Sequence, residues 1–183
     1  MSIDPYYTPD WVVQQCIADV IPFVCPAARR ILEPGAGQGA FVRRLRERYP
    51  TGHITAIDID PYEWPEADQP LHQDLFETRF DERFDLTVGN PPFSRAIDFI
   101  QYALGCSRAV CFLLRQGFLS SNKRNPFFRL HRPSDVYILP NRPTFVGEHS
   151  DKADYCFVCW GRPAFNGTTN LHWLPSVPLA HRR

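Results

Sequence analysis

The chain has 183 residues, of which 44% are apolar and 22% charged, and its 20 basic and 20 acidic side chains give a formal net charge of zero. This size and composition predict one globular domain over residues 1–183, with a core at 6–161 and a C-terminal tail at 162–183. They exclude the strong overall positive charge that is common in nucleic-acid-binding proteins.

Apolar runs and cysteines indicate the compartment. No run reaches the ~20 apolar residues that a membrane span needs, and residues 1–5 lack a signal-peptide pattern. We therefore expect a cytoplasmic protein with free thiols and no membrane partner. Cys156 and Cys159 have C-x-x-C spacing, but in a strand they would point to opposite faces, so we predict no metal site.

The first predicted element is a helix that starts at Thr8-Pro9, with Thr8 as its N-cap, and ends before Pro22. Strands and helices then alternate. Apolar runs predict strands at residues 29–32, 53–57, 85–88, 109–114, 135–139 and 155–160, with one more left open just before Asp74. We assign no regular structure to residues 61–70 and expect the tail to wrap over the surface.

This alternation, with a glycine-rich turn after the first strand, predicts an α/β fold. The expected architecture is a doubly wound, mostly parallel, Rossmann-like sheet. In such sheets the ligand lies at the carboxyl ends of the strands. The functional residues should therefore come from the turns that follow the strands.

The turn after the first strand reads Glu33-Pro34-Gly35-Ala36-Gly37-Gln38-Gly39. Glycines let the backbone approach a ligand, and the following helix offers free amides. Such a turn is weak evidence alone, since nicotinamide and flavin enzymes use a related one and since it can exist without a ligand. Asp58 follows at the spacing, about 20 residues, of a carboxylate that binds ribose hydroxyls. A nucleoside is therefore predicted, with Asp74 as a candidate acceptor for its adenine amine and Phe76 as an apolar wall.

Asn90-Pro91-Pro92-Phe93 follows the strand predicted at 85–88. An exocyclic aryl amine is a poor nucleophile because its lone pair is delocalised, and acceptors on both of its protons would favour the localised form. The Asn90 side-chain oxygen and the Pro91 carbonyl can supply these acceptors, the prolines bring no N–H, and Phe93 can stack on a base. A Pro-Pro turn that merely ends a strand is the alternative. Together with the glycine-rich turn and Asp58, the motif favours methylation of an aromatic amine.

In this order and at this separation, the two motifs resemble the cofactor and catalytic motifs of N6-adenine DNA methyltransferases. Tyr6-Tyr7-Thr8-Pro9 resembles the N-terminal motif of those enzymes, and residues 142–145 and 155–160 resemble later sheet motifs of the small phage-type members. The resemblance covers residues 6–161. It implies S-adenosylmethionine as the cofactor and DNA as the partner, with the target adenine flipped out of the duplex.

The resemblance also implies roles for single residues. Those expected around the methionine moiety of the cofactor are Tyr7, Thr8, Glu33, Gly35 and Gly37. Asp58 would bind its ribose and Asp74 its adenine. The residues expected to hold the target base are Asn90, Pro91 and Phe93, with Pro92 completing the catalytic motif. Arg142 and Phe145 would shape the target pocket.

Basic residues concentrate at 115–132, and Arg115, Lys123 and Arg124 are our candidates for substrate binding through phosphate contacts. The alternative is a solvated loop with a few core anchors. Nothing in the chain is long enough for a separate target-recognition domain. Three other functions stay open: an RNA adenine N6-methyltransferase, a protein glutamine N-methyltransferase, and a non-catalytic subunit that keeps the fold.

Overall fold

A computed structural model describes residues 7–145, 152–161 and 167–182. The strands are Arg30–Pro34 (β1), His53–Asp58 (β2), Gln69–His72 (β3), Phe84–Gly89 (β4), Ser107–Arg115 (β5), Asp135–Ile138 (β6), Tyr155–Trp160 (β7) and Asn170–Trp173 (β8). The α-helices are Asp10–Gln15 (α1), Ile21–Val24 (α2), Ala40–Arg48 (α3), Ala96–Cys106 (α4) and Asn125–Leu130 (α5). A π-helical turn, Cys16–Val20, joins α1 to α2. Within the described ranges, no helix combines the length and apolarity needed to cross a membrane.

All eight strands form one sheet in the order β3-β2-β1-β4-β5-β7-β6-β8. Neighbouring strands are parallel from β3 to β5, and β6 pairs with β8 in parallel as well. β7 is antiparallel to both of its neighbours and is the reversed strand of this sheet. The predicted α/β, mostly parallel architecture is confirmed.

The core lies on both faces of the sheet. On one face α1 and α3 contribute Val12, Val13, Phe41 and Leu45, and on the other α4 contributes Ile100, all with at most 1% of their surface exposed. Strands covered on both faces read as continuous apolar runs, which is why 109–114 and 155–160 could be recognised from sequence. Cys156 and Cys159 face opposite sides, as the strand geometry predicts.

The first helix and the tail differ from expectation. Thr8 makes no cap: the N-cap position is Pro9, and the helical path continues through Pro22 to Val24. The π-helical turn resets the hydrogen-bond register, so Pro22 falls at the start of α2, where its missing N–H is not needed. The tail supplies β8 instead of only wrapping the surface.

Long-range polar contacts hold β8 in place. The buried carboxylate of Asp135 accepts a hydrogen bond from Asn170 Nδ2 at 3.1 Å and lies 3.0 Å from His172 Nε2. These contacts lower the pKa of Asp135, the bond to His172 most. Because the partners of β8 lie about 35 positions away in the chain, its own residues show no local periodicity from which the strand could be predicted.

Candidate active site

The carboxyl ends of β1, β2 and β4 meet at one edge of the sheet and form a cleft there. Its inner part is lined by Tyr7, Thr8, Glu33, Gly35, Gly37 and Asn90. Its outer part is lined by Asp58, Ile59, Tyr62, Asn90, Pro91, Pro92, Phe93 and Arg115. Tyr7, Gly35, Gly37 and Asn90 line both parts. The fold therefore brings the residues of the glycine-rich turn and of the Asn90–Phe93 turn together.

Main-chain bonds fix the glycine-rich turn to β2. The amide of Gly35 donates to the Ile57 carbonyl at 2.8 Å, and the amide of Gly37 donates to Asp58 Oδ2 at 2.8 Å. Gly35 and Gly37 have φ angles of 68° and 50°, a left-handed conformation that side chains disfavour. The Asp58 carboxylate thus holds the turn while it lines the cleft.

Glu33 is a buried acid at the bottom of the cleft, with 2% of its surface exposed. Its Oε2 atom has no hydrogen-bond partner among the described residues. Burial raises the pKa of Glu33 well above its usual value, although the amides of Val42 and Phe41 oppose the shift. A carboxyl group in this state is suited to a cationic ligand, because an ammonium group would satisfy the oxygen and stabilise its charge.

Three residues that follow β2 contribute to the cofactor side of the cleft, and the sequence analysis did not predict them. Ile59, 71% exposed, presents an apolar surface beside Asp58. Tyr62 bonds through its hydroxyl to that of Tyr7 at 3.2 Å, and Trp64 Nε1 donates to the Gly37 carbonyl at 2.8 Å. Two features of the sequence could have identified them: the apolar residue directly after Asp58, and the aromatic residues within the proline-rich segment 61–70.

The Asn90–Phe93 turn is held by side chains from distant elements. Asn90 Nδ2 donates to Thr8 Oγ1 at 3.1 Å. The guanidinium of Arg115 lies over the Phe93 ring, 4.7 Å from its centroid, and the Tyr155 ring lies 5.8 Å away. Arg115 Nε in turn donates to the Tyr155 hydroxyl at 3.2 Å. The Arg115 guanidinium therefore covers one face of Phe93 at the outer end of the cleft, and the Tyr155 ring is tilted against it.

Asp74 and Phe76, predicted at the cofactor adenine, do not line this cleft. Asp74 accepts a hydrogen bond from the Phe76 amide at 2.8 Å and so caps the short 3-10 turn Leu75–Glu77. The Phe76 ring packs edge-on against Phe99 and lies under the Arg95 guanidinium, 4.1 Å from it. Asp74 Oδ1 is thus used for local capping, and one part of the Phe76 ring for packing.

A second groove continues outward from the cleft. This basic groove shares Phe93, Ser94 and Arg115 with the cleft and is also lined by Gln116, Gly117, Phe118, Arg124, Lys152, Ala153 and Asp154. Arg124 lies over the Phe118 ring at 4.4 Å and donates to the Phe118 carbonyl at 3.2 Å. Two stacked arginines therefore line one path that leads from Phe93.

The other predicted substrate residues lie outside these two cavities. Lys123 is exposed beside Arg124 but does not line the basic groove. Arg142 does not line the target pocket: it pairs with Asp154 at 2.7 Å and so neutralises the acid of the basic groove. Phe145 is buried. Its ring packs edge-on against the Phe93 ring at 6.5 Å and lies tilted 5.0 Å from the Tyr155 ring, so it contacts the target side through these two rings.

Comparison with known proteins finds sequence relatives that are methyltransferases. The chain is 32% identical over 88 residues to the type II methyltransferase M.TthHB8I of Thermus thermophilus, a match that covers 46% of this chain and 21% of that protein. It is 30% identical over 96 residues to a tRNA1(Val) (adenine(37)-N6)-methyltransferase of a Flavobacteriaceae bacterium, covering 46% of this chain and 39% of that one. The chain thus spans only a fifth to two fifths of the length of these relatives. No family model matches it.

A solved structure agrees over nearly the whole chain. A Listeria monocytogenes protein described as a class I S-adenosylmethionine-dependent methyltransferase superposes with a TM-score of 0.68 at 14% identity, covering 96% of this chain and 68% of that one. The predicted resemblance to methyltransferases is confirmed at the level of fold and relatives. The chain has the fold of the class I methyltransferases and is related in sequence to type II methyltransferases.

Proposed function

We propose that this chain transfers a methyl group from S-adenosylmethionine to the N6 amine of adenine in DNA. The observation that carries the proposal is the meeting of the two motifs: the Asn90–Phe93 turn opens into the same cleft as Glu33 and the glycine-rich turn. A methyl donor bound beside Glu33 and the glycine-rich turn and an amine bound at the Asn90–Phe93 turn would be neighbours in this cleft.

The cleft as a whole fits S-adenosylmethionine chemically. Glu33, buried and with an unsatisfied oxygen, suits the α-ammonium group of the methionine moiety. Asp58 suits the ribose hydroxyls and Ile59 the adenine face. When bound, S-adenosylmethionine supplies a methyl group whose bond to the cationic sulfur breaks as the target lone pair attacks, leaving a neutral thioether and an amine that releases one proton.

The outer cleft can prepare an aromatic amine for this attack. The Asn90 carboxamide oxygen and the Pro91 carbonyl would accept the two amine protons and so localise the lone pair on nitrogen. Pro91 and Pro92 contribute no N–H group that would compete for that lone pair. Phe93 would stack on the base, which places the amine at the turn.

The basic groove supports a nucleic acid as the target and disfavours a protein glutamine. Arg115, Arg124 and Lys152 line it, and the carboxylate of Asp154 is neutralised by Arg142. Phosphates on either side of a flipped nucleotide match this charge, whereas a peptide backbone brings none. DNA is favoured by the type II methyltransferase relatives. RNA is the second candidate because the tRNA methyltransferase relative acts on adenine N6.

Transfer of a labelled methyl group to duplex DNA, single-stranded DNA, bulk RNA and a glutamine-rich polypeptide tests the proposal. We expect label in DNA, with Asn90→Ala as the inactive control. Label confined to RNA would replace the substrate with the second candidate. Label confined to the polypeptide would remove the nucleic-acid assignment altogether.

A further inference from the structure

Thr8 contacts the proposed target site through another side chain. Its hydroxyl oxygen accepts a hydrogen bond from Asn90 Nδ2 at 3.1 Å, although the two residues are 82 positions apart in the chain. Thr8 also lines the inner cleft beside Glu33. It therefore lies between the proposed cofactor and the residue proposed to hold the amine.

The segment that carries Thr8 is anchored on both sides. Before it, the Tyr7 hydroxyl lies 3.2 Å from that of Tyr62, a contact that raises the Tyr62 pKa to about 12. After it, Asp10 accepts a hydrogen bond from Arg44 Nε on α3 at 2.9 Å, and this bond lowers the Asp10 pKa. The Thr8 hydroxyl is thus held at a fixed place without any help from a ligand.

A fixed acceptor matters because the carboxamide of Asn90 rotates easily. Its terminal torsion has a broad preference, and its two ends have opposite hydrogen-bonding character. The bond to Thr8 fixes the plane of the amide, and in the structure the nitrogen lies on the Thr8 side and the oxygen at the other end. If the amide turned over, its N–H groups would face the N–H groups of the target amine.

We propose that Thr8 is a positioning residue that presents the Asn90 oxygen to the target amine. The inference rests on the proposed function, since it assumes an amine held by Asn90. A cofactor ligand would change cofactor affinity when removed, whereas a positioning residue would change turnover at saturating cofactor and DNA.

Thr8→Val keeps the branched shape and removes the hydroxyl, and Thr8→Ser keeps the hydroxyl as the matched control. We expect Thr8→Val to lower kcat about 10-fold while the cofactor Kd stays within about twofold of the wild-type value. Thr8→Ser should keep kcat within about threefold of wild type. Thr8→Ala provides a second variant without the hydroxyl and should match Thr8→Val. Cofactor binding by calorimetry and kcat by methyl transfer are measured on the same preparations.

A double-mutant cycle separates action through Asn90 from a general structural effect. In the Asn90→Ala background, Thr8→Val should cause no further loss of turnover, because the group it orients is gone. A further 10-fold loss, or a weakened cofactor Kd with normal kcat, would overturn the inference. Wild-type transfer to DNA is measured alongside: an inactive wild type overturns the proposed function itself, while an active wild type with an unaffected Thr8→Val variant overturns only the role of Thr8.

Discussion

The two sides of the cleft are built by different kinds of contact. On the cofactor side, the glycine-rich turn is joined to β2 and to Asp58 by hydrogen bonds that the backbone amides of Gly35 and Gly37 donate. On the target side, Phe93, Arg115 and Tyr155 meet through their side chains, with the Arg115 guanidinium over the Phe93 ring and the Tyr155 ring tilted against it. A side built from backbone tolerates few substitutions without loss of shape. A side built from stacked side chains can change its substrate contacts one residue at a time.

Asn90→Ala changes a residue that lines both parts of the cleft and should have the largest effect. Loss of a hydrogen-bonding group that acts on the reacting centre lowers turnover by about 100- to 1000-fold. Cofactor binding, measured by calorimetry, should stay within about twofold of wild type. Asn122→Ala, an exposed asparagine outside both cavities, is the control. Equal loss of binding and turnover would mean that Asn90 supports the fold.

Asp58→Asn tests the cofactor side. Asp58 holds the Gly37 amide and faces the cleft, so loss of its charge should weaken cofactor affinity about 10- to 100-fold, the range for bonds to charged groups. Turnover at saturating cofactor should change less. Titration calorimetry measures the affinity, with exposed Asp81→Asn as the control. Unchanged affinity would remove Asp58 from the cofactor site.

Arg124→Gln tests the target side. Removal of one phosphate contact should raise KM for DNA about 3- to 10-fold and reduce the slope of log KM against log salt by about one, with kcat unchanged. Arg129→Gln is the matched control, since Arg129 is exposed on α5 outside the basic groove. If both variants weaken DNA binding equally, the effect comes from the overall surface charge, and the basic groove is not a specific DNA-binding site.

Glu33→Gln should weaken cofactor binding while it stabilises the cofactor-free fold. Because burial raises the Glu33 pKa in the folded chain, protonation of Glu33 stabilises the fold below the unfolded pKa, and this stability is lost as pH rises through the folded pKa. Glutamine stays neutral, so its advantage over wild type should grow with pH.

Thermal unfolding without cofactor, from about pH 5 to about pH 8, measures this, with each 1 kcal/mol worth roughly 2–4 °C in Tm. Cofactor affinity should fall in the same variant because the ammonium loses its counter-charge. A Glu33→Gln variant that is no more stable than wild type at any pH would contradict the proposed state of the carboxyl group.

The sequence predicts the turns that follow the strands better than it predicts side-chain pairings between separate elements. The turn at Glu33–Gly39, the strand ends and Asp58 depend on local backbone conformation and spacing, which consecutive residues determine. The position of Arg142 depends on which acid lies near it in space, and it pairs with Asp154 outside the lining of the cleft. Asp74 likewise lies outside the lining of the cleft, where one of its carboxylate oxygens caps its own turn. β8 escaped prediction because Asp135, on another strand, supplies its partner groups.

Identification of the methylated nucleoside tests the central claim most directly. DNA methylated by the wild-type chain and by Asn90→Ala is digested to nucleosides and separated with standards for N6-methyladenine and N4-methylcytosine. The account predicts label in N6-methyladenine with the wild-type chain and almost none with the variant. Label in N4-methylcytosine, or equal N6-methyladenine from both proteins, would contradict it.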